Sequence, residues 1–437
     1  MALLRGHRTL FPQPIKPGIW SSLVAAYCCL LAAGSGLAAE QTVKPGQSIA
    51  TAIARAAPGD VIRVEKGYYQ ESLLIDKPLT LKGINRPTIS AGFKGDVIRV
   101  TAEDVVIDGL IVRDSGDSLL DQNAGIYIRP HAHRAIVRNC DVTYNLFGIY
   151  IETVKKVEIR NNVITGKRDY KSPRRGNGIQ LYNTEEAQII GNNISFTRDG
   201  IYVDVSHHAL FRNNRIHNVR YGTHYMNSHN NVWEGNDSYH NRGGLALMMT
   251  RNQVVRNNRA WGNSDHGIML RTIQDSVIEG NIVAGNARGF FIYDAEYNTL
   301  RNNLVMDNRV GIHLWAGSYR NKVESNDFIL NHTQIKYVAA RDEIWSGNYW
   351  SNYVGWDRNG DGIGDVPYEA NDLVDRLSWQ HPMMKLLLAS PAVQTLRLVS
   401  QQFPLLRAPS IVDPKPRMRP HNPDWSQWRD RYFPGAS

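Results

Sequence analysis

The chain has 437 residues, 42% of them hydrophobic and 21% charged, with a formal net charge of +9 at pH 7. Its three cysteines, Cys28, Cys29 and Cys140, exclude a disulfide framework, because the first two fall in a leader-like segment. The charge does not make it a nucleic-acid binder: apart from Lys167, Arg168, Lys171, Arg174 and Arg175 in one loop and a basic tail, the basic residues are scattered and no nucleic-acid motif accompanies them.

Residues 1–39 read as a secretory signal peptide. Arg5, Arg8 and Lys16 precede an apolar run from Ile19 to Ala33, and Gly36-Leu37-Ala38-Ala39 offers small residues for cleavage. Export would put the mature chain outside the cytoplasmic membrane, and no later run reaches the roughly 20 apolar residues of a membrane span. Ser48 then suits the N-cap of an alanine-rich amphipathic stretch carrying Ile49, Ile53 and Ala57, expected to close the open end of a solenoid. The duplicated Gly59-Asp60-Val61-Ile62-Arg63-Val64 and Gly95-Asp96-Val97-Ile98-Arg99-Val100 mark early coils.

Two series then run in one phase. Asn139, Asn162, Asn193, Asn214, Asn236, Asn258, Asn281, Asn303, Asn326 and Asn348 recur mostly 22 or 23 residues apart, and between them come Gly125, Gly148, Gly178, Gly200, Gly222, Gly244, Gly267, Gly289 and Gly311. After each glycine the chain alternates, as in Ile126-Tyr127-Ile128 and Ile201-Tyr202-Val203. Such a period is too short for helix pairs, and the alternation is that of strands. The expected fold is all-β, a right-handed parallel β-helix over 40–355 with an N-terminal cap and an irregular, partly helical C-terminal extension. Asparagine amides stacked about 4.8 Å apart would hydrogen-bond from coil to coil inside a turn. The long step from Gly148 to Gly178 holds the basic loop, and insertions in solenoids usually lie on a working face.

Register brings chemistry together. The first and third residues after each glycine should face the core and the second and fourth outward, which places His224, Met226, Met248 and Met269 on one solvent-facing sheet with Ala246 leaving a gap among them. Thioethers and imidazole suit copper, above all Cu(I), and His207, His229, His240 and His266 are auxiliary candidates. The bland alternative is that outward methionines cover a partner interface and the histidine is only hydrogen-bonded. Outward Tyr150, Tyr202, Phe291 and Trp315 support a rival class, a secreted polysaccharide lyase or epimerase, for which Asp204, His224 and Arg271 are the nominees, although acidic residues on this face are sparse. Cys140 is expected in the core, and His131 and His133 at a surface turn.

Beyond Asn348 the repeat stops. An acidic glycine-rich loop over 356–370 carries Asp357, Asn359, Asp361 and Asp365 in the pattern of the first nine positions of a calcium loop, but its twelfth position is Tyr368 where a bidentate glutamate belongs. A self-bonded acidic turn is the alternative. Over 371–437 we expect a helical and extended docking arm: Ser390 and Pro391 suit the start of a helix with Val393, Leu396, Val399 and Phe403 on one face, ended by Pro404. Met383, Met384, Leu386 and Leu387 add to its apolar character, and an end cap is the plainer reading.

The run Gly347-Asn348-Tyr349-Trp350-Ser351-Asn352-Tyr353-Val354-Gly355-Trp356-Asp357, continuing through Asn359-Gly360-Asp361-Gly362-Ile363-Gly364-Asp365-Val366-Pro367-Tyr368, with Asp375-Arg376-Leu377, Ser390-Pro391-Ala392 and Phe403-Pro404-Leu405-Leu406-Arg407, resembles the NosD family of nitrous oxide reductase maturation proteins. The resemblance implies a non-catalytic periplasmic β-helix that works with a membrane ABC transporter (NosF and NosY), the copper chaperone NosL and nitrous oxide reductase as client. It also implies membrane association through the transporter and a part in assembling the reductase's copper-sulfur centre. No individual ligand is carried over by a family motif. The four copper candidates rest on coil register.

Overall fold

Alternating apolar residues, broken every few positions by asparagine or glycine, leave room only for short strands and sharp corners. In the computed structural model, which describes residues 38–338, 340–370, 383, 387, 390–402 and 411–432, one coil is Leu210–Arg212, Arg215–His217 and Tyr221–Met226. Asn213 and Asn218 turn its corners with φ of 55° and 56°. Asparagine tolerates this left-handed conformation because its short polar side chain bonds locally. Stacking of about 14 such turns yields a right-handed parallel β-helix with three sheets of 14, 12 and 13 strands. Within a coil the chain visits the 14-stranded sheet first, the 13-stranded sheet second and the 12-stranded sheet third, and they are named in that order. Neighbouring coils pair in register, as in Ile201↔Thr223, Tyr202↔His224 and Val203↔Tyr225.

Inner positions fill the core with Ile, Val and Leu, and aromatic residues stack where coils align, as Phe211 on Trp233 at 3.8 Å between centroids. The glycine series marks close backbone approach. A Cβ on Gly200 would lie 2.2 Å from Ile216 Cγ2 and 2.6 Å from the Gly222 carbonyl oxygen, so no larger residue fits.

The asparagine series lines the corner between first and second sheets. Asn236 donates its backbone N–H and its Nδ2 to Asn258 Oδ1 at 2.9 Å each, and its Nδ2 also donates to the Phe211 carbonyl at 2.9 Å. Two rungs differ from expectation. Asn192, not Asn193, is the ladder residue, with its Nδ2 on Asn214 Oδ1; Asn193 begins the following strand. Asn139 is the left-handed corner residue (φ 56°) and the buried Cys140 takes the rung, its N–H on Asn162 Oδ1 at 2.9 Å. Adjacent asparagines serve two different backbone needs, and spacing alone does not tell them apart.

Two further ladders were not anticipated. Asn241, Asn263, Asn286, Asn308 and Asn331 stack at the corner between second and third sheets. Asn298 and Asn321 stack at the corner back to the first sheet, ending on the Glu343 carboxylate.

Both ends are closed. Ser48 Oγ accepts from Thr51 N–H to start the helix Ile49–Arg55, and the Glu71 carboxylate accepts from Ile49 and Ala50 N–H. Ile49, Ala52 and Ile53 are buried, and Ala56 rather than Ala57 completes the apolar face. The duplicated Gly-Asp-Val-Ile-Arg-Val segments occupy different sheets, Val61–Val64 the first and Ile98–Val100 the third.

At the other end Tyr368–Ala370 pairs antiparallel with Ile411–Asp413. Asp413 supplies the last rung, accepting from Gly347 N–H, Asn348 N–H, Asn348 Nδ2 and Trp350 Nε1. His421 and Asn422 N–H bond the Asp327 carboxylate, and the helix Trp425–Tyr432 lays Trp425, Trp428 and Tyr432 against Met306 and Ile329. Residues 411–432, within the 371–437 expected to be a docking arm, are therefore built into the end of the solenoid. Phe403, Pro404, Met384, Leu386 and the leader through residue 37 lie outside the described residues.

Candidate functional site

The third sheet is the one whose outer face carries unusual chemistry. Its strands are its longest at Gly243–Arg251 and His266–Gln274, nine residues each, so this face is widest where the methionines lie. One column runs Tyr127, Tyr150, Gln180, Tyr202, His224, Ala246, Met269, Phe291, His313. The next runs Glu152, Tyr182, Asp204, Met226, and, one step on from the Tyr225↔Leu247 pair, Met248, then Arg271 and Tyr293.

Met226, Met248 and Met269 come together in one cluster with Ala246, packed by Tyr221 and Phe291. The face is not solvent-facing as expected: Met248 and Met269 are only 8% and 9% exposed. Large apolar side chains in adjacent columns bury one another even on the outside of a sheet. His224 lies one coil below Ala246, with Tyr202 at 5.0 Å and Tyr221 at 5.6 Å between ring centroids. Its Nδ1 faces Asp199 Oδ2 at 2.9 Å and Arg220 Nη2 at 3.1 Å. The Arg220 guanidinium is already committed to Asp199 through Nε and Nη2 at 2.8 and 2.6 Å. Nδ1 therefore donates to the carboxylate, which in the neutral ring leaves the lone pair on Nε2. A carboxylate behind an imidazole in this way fixes ring orientation and tautomer for a metal on the other nitrogen. Burial of Asp199 opposes its ionisation, but the hydrogen bonds from His224 and Arg220 outweigh it and hold its pKa below the usual carboxylate range.

His266 belongs to the same neighbourhood. Its ring lies 5.6 Å from Tyr221, the residue that also touches His224 and the methionine cluster. It is 1% exposed, and neither ring nitrogen has a hydrogen-bond partner among the described residues. Asp265 Oδ2 stands 3.7 Å away, too far for a hydrogen bond. Burial pushes the His266 pKa down, so the ring is neutral at pH 7 and both ligand-competent and polar without a partner. Sequence reasoning ranked it as auxiliary because it stands before its glycine, out of the alternating phase. The open space that only Gly243 leaves beside it, where a Cβ would meet His266 Nε2 at 2.5 Å, was the missing signal.

The remaining auxiliary candidates lie elsewhere. His240 packs edge-on to Trp261 at 4.8 Å beyond the second sheet. His207 and His229 stack at 5.3 Å on the corner back to the first sheet, with His229 N–H donated to His207 Nδ1. Among the described residues no group of three His, Cys, Asp or Glu could hold a metal ion, so any metal site here depends on the thioethers. The lyase nominees do not converge. Asp204 and Arg271 stand in one column three coils apart, about 14 Å, and Asp204 accepts from Asn227.

In the acidic loop the carboxylates are turned inward on the backbone. Asp357 accepts from Gly360, Asp361 and Gly362 N–H, Asp361 from Ile363, and Asp365 from Arg358. This is the geometry of the self-bonded turn. In the helix Pro391–Gln402, Ser390 Oγ accepts from Val393 N–H; Val393 is buried, Leu396 half-buried and Val399 exposed. The basic loop is not wholly solvated, since Lys167 is 2% exposed, ion-paired with Asp117 and faced by the rings of Phe93, Tyr144 and Tyr170.

The chain is thus a parallel β-helix with three thioethers beside an oriented imidazole on one outer face, a donor set that suits a soft metal ion. Comparison with known proteins gives its family. Residues 160–355 match a family described as "Periplasmic copper-binding protein (NosD)". The chain is 36% identical over 371 residues to the "Probable ABC transporter binding protein NosD" of Pseudomonas aeruginosa, covering 81% of this chain and 87% of that protein. It is also 36% identical over 376 residues to the protein of the same description from Stutzerimonas stutzeri, covering 82% and 86%. The chain belongs to the NosD family. Among solved structures, the A-module of the mannuronan C-5 epimerase AlgE6 of Azotobacter vinelandii superposes with a TM-score of 0.56 at 15% identity, over 68% of this chain and 93% of that one, which reflects the shared fold.

Proposed function

We propose that this protein is a periplasmic maturation factor for nitrous oxide reductase that holds copper in passing and couples an ABC transporter to assembly of the reductase's copper-sulfur centre. The observation that carries this reading is the methionine cluster next to His224, whose Nδ1 is tied to Asp199 so that Nε2 is free to bind. Thioethers and neutral imidazole favour Cu(I) over harder ions. His224, Met226, Met248 and Met269 would hold it, with His266 as a further ligand. Copper is here the cargo, and the protein's own part is to orient the imidazole, keep water from the thioethers and release the ion to a partner. Family names support the copper and transporter parts; the chaperone NosL as donor, NosF and NosY as transporter, and the reductase as acceptor complete the proposal.

The transporter contact is assigned to the helix Pro391–Gln402 and its surroundings, where Met383, Leu387 and Val399 are exposed and Leu396 half-buried. These form the apolar surface that the membrane complex would cover; Val393 is buried beneath it and Phe403, also expected on this face, lies outside the described residues.

Cu(I) titration of the exported chain with X-ray absorption tests the site: sulfur and nitrogen scatterers are expected. The variant His224→Ala/Met226→Leu/Met248→Leu should lose at least about 100-fold in Cu(I) affinity with little change for Zn(II). Unchanged Cu(I) affinity would remove the site from this face. Leucine keeps methionine's bulk, so each such change should cost under about 1.5 kcal/mol of stability.

A further inference from the structure

The loop inserted between Gly166 and Gly178 forms one wall of a pocket of about 440 Å³, whose other lining residues are Thr197, Arg198, Asn218, Val219, Arg220 and Arg242. Arg175 comes from the loop, and Arg198, Arg220 and Arg242 come from three successive coils at the corner entering the third sheet, Arg220 N–H bonding the Arg198 carbonyl at 2.8 Å. Four arginines thus line one concavity, with Ser172 and Asn218 beside them.

Their counter-charges are missing. Along the same solenoid Arg160, Arg212, Arg259, Arg288 and Arg301 each meet a carboxylate. In the pocket only Arg220 does, through Asp199, which is also shared with His224. Among the described residues Arg175, Arg198 and Arg242 have no carboxylate partner, and the buried Arg175 Nε has no hydrogen-bond partner, although its Nη2 donates to the Arg168 carbonyl at 2.8 Å. The nearby acids are engaged elsewhere: Asp169 accepts from Tyr144 Oη and Asp265 from Arg288. Burial pushes the Arg175 pKa down, and the charge of Asp169 does not offset it. Convergent unpaired guanidiniums repel one another, and planar forks of donors match carboxylate and phosphoryl oxygens.

We propose that this pocket binds a small soluble anion bearing two or more carboxylate or phosphoryl groups. Its volume lies within the range of small-ligand sites and exceeds what a single monovalent ion would need. The pocket adjoins the proposed copper site through Arg220, whose Nη2 lies 3.1 Å from His224 Nδ1, while Arg175, Arg198 and Arg242 are the residues the anion would engage.

The test is isothermal titration of the exported chain with citrate and, separately, pyrophosphate at low salt. Saturable one-to-one binding of either probe is expected, weakened at least tenfold in Arg198→Gln/Arg242→Gln and in Arg175→Gln, and unchanged in the control Arg251→Gln, an exposed arginine on another corner. Arg198→Gln/Arg242→Gln should keep the parent's melting temperature, since both residues are exposed, and it is the deciding variant; Arg175 is half-buried with its Nη2 on the Arg168 carbonyl, so its variant is read only where the melting temperature is kept. Absence of saturable heat with both probes overturns the proposal, as does an equal loss in the control. Binding of an acidic peptide without either small anion also overturns it, by making the pocket a protein contact. Repeating the titration in Met248→Leu, where anion affinity should persist, keeps its failure distinguishable from failure of the copper reading.

Discussion

The asparagine corner and the outer face of the third sheet are built on the same 22-residue step, yet they treat polar groups in opposite ways. At the corner every rung is satisfied: Asn258 donates to Asn281 Oδ1 and the Trp233 carbonyl while its own Oδ1 accepts twice from Asn236. On the outer face, the buried His266 has no hydrogen-bond partner on either nitrogen among the described residues, and His224 is held by one nitrogen only. A saturated ladder stabilises and can do nothing else. A face with buried donors and acceptors left open costs stability and is where a ligand gains by binding.

The sharpest way to break the corner is at its end. Asp413→Ala would strand the N–H groups of Gly347 and Asn348, the Asn348 amide and the Trp350 indole, and should cost about 3 kcal/mol or more in denaturant unfolding. A chain ending at Ser390 loses this cap and the Trp425–Tyr432 strap together and should aggregate. If it remained folded and soluble while losing the transporter, the tail would be a docking arm throughout.

Within the ladder, Asn258→Leu should cost about 1–3 kcal/mol for each backbone or amide group left unpaired, measured by the same unfolding. A loss below about 1 kcal/mol in total would mean water replaces the rung and the corner is not the source of rigidity.

The outer face should answer differently. Asp199→Asn keeps the shape but weakens the hold on the His224 tautomer, and should reduce Cu(I) affinity about 10–100-fold. An unaltered affinity would show that Asp199 serves only Arg220.

The smallest effect concerns the third ladder's last rung. Burial pushes the Glu343 carboxyl up to about 7, although Asn321 donates to it. Unfolded glutamate titrates near 4.3, so the folded state carries a penalty above pH 7 that is relieved as pH falls from 7 toward 4.5. Stability from this group rises on acidification. Glu343→Gln should gain about 1 kcal/mol at pH 8, after discounting for partial exposure, and nothing near pH 4.5. A pH-independent difference would mean the carboxyl is not buried in solution.

Much of this was legible in the chain. The glycine and asparagine periods predicted the parallel coils, and alternation put His224, Met226, Met248 and Met269 on one face, because a strand's two-residue period leaves no freedom once the register is set. Ser48 and Ser390 were recognisable helix caps for the same local reason. Asn193 and Asn139 were misplaced by one residue because the corner uses two adjacent positions, one for a left-handed φ and one for the ladder. His266, the arginine pocket and Asp413's role as the last rung join residues from different coils or from 65 positions apart.

Sequence periodicity by itself determined the fold and the faces of its strands, since both follow from steric alternation and local hydrogen bonding repeated coil after coil. Only the tertiary structure decided which of those outward groups are buried, which have partners and which stand bare. Burial and pairing are sums over neighbours from several coils and the returning tail, and no single period in the chain encodes them.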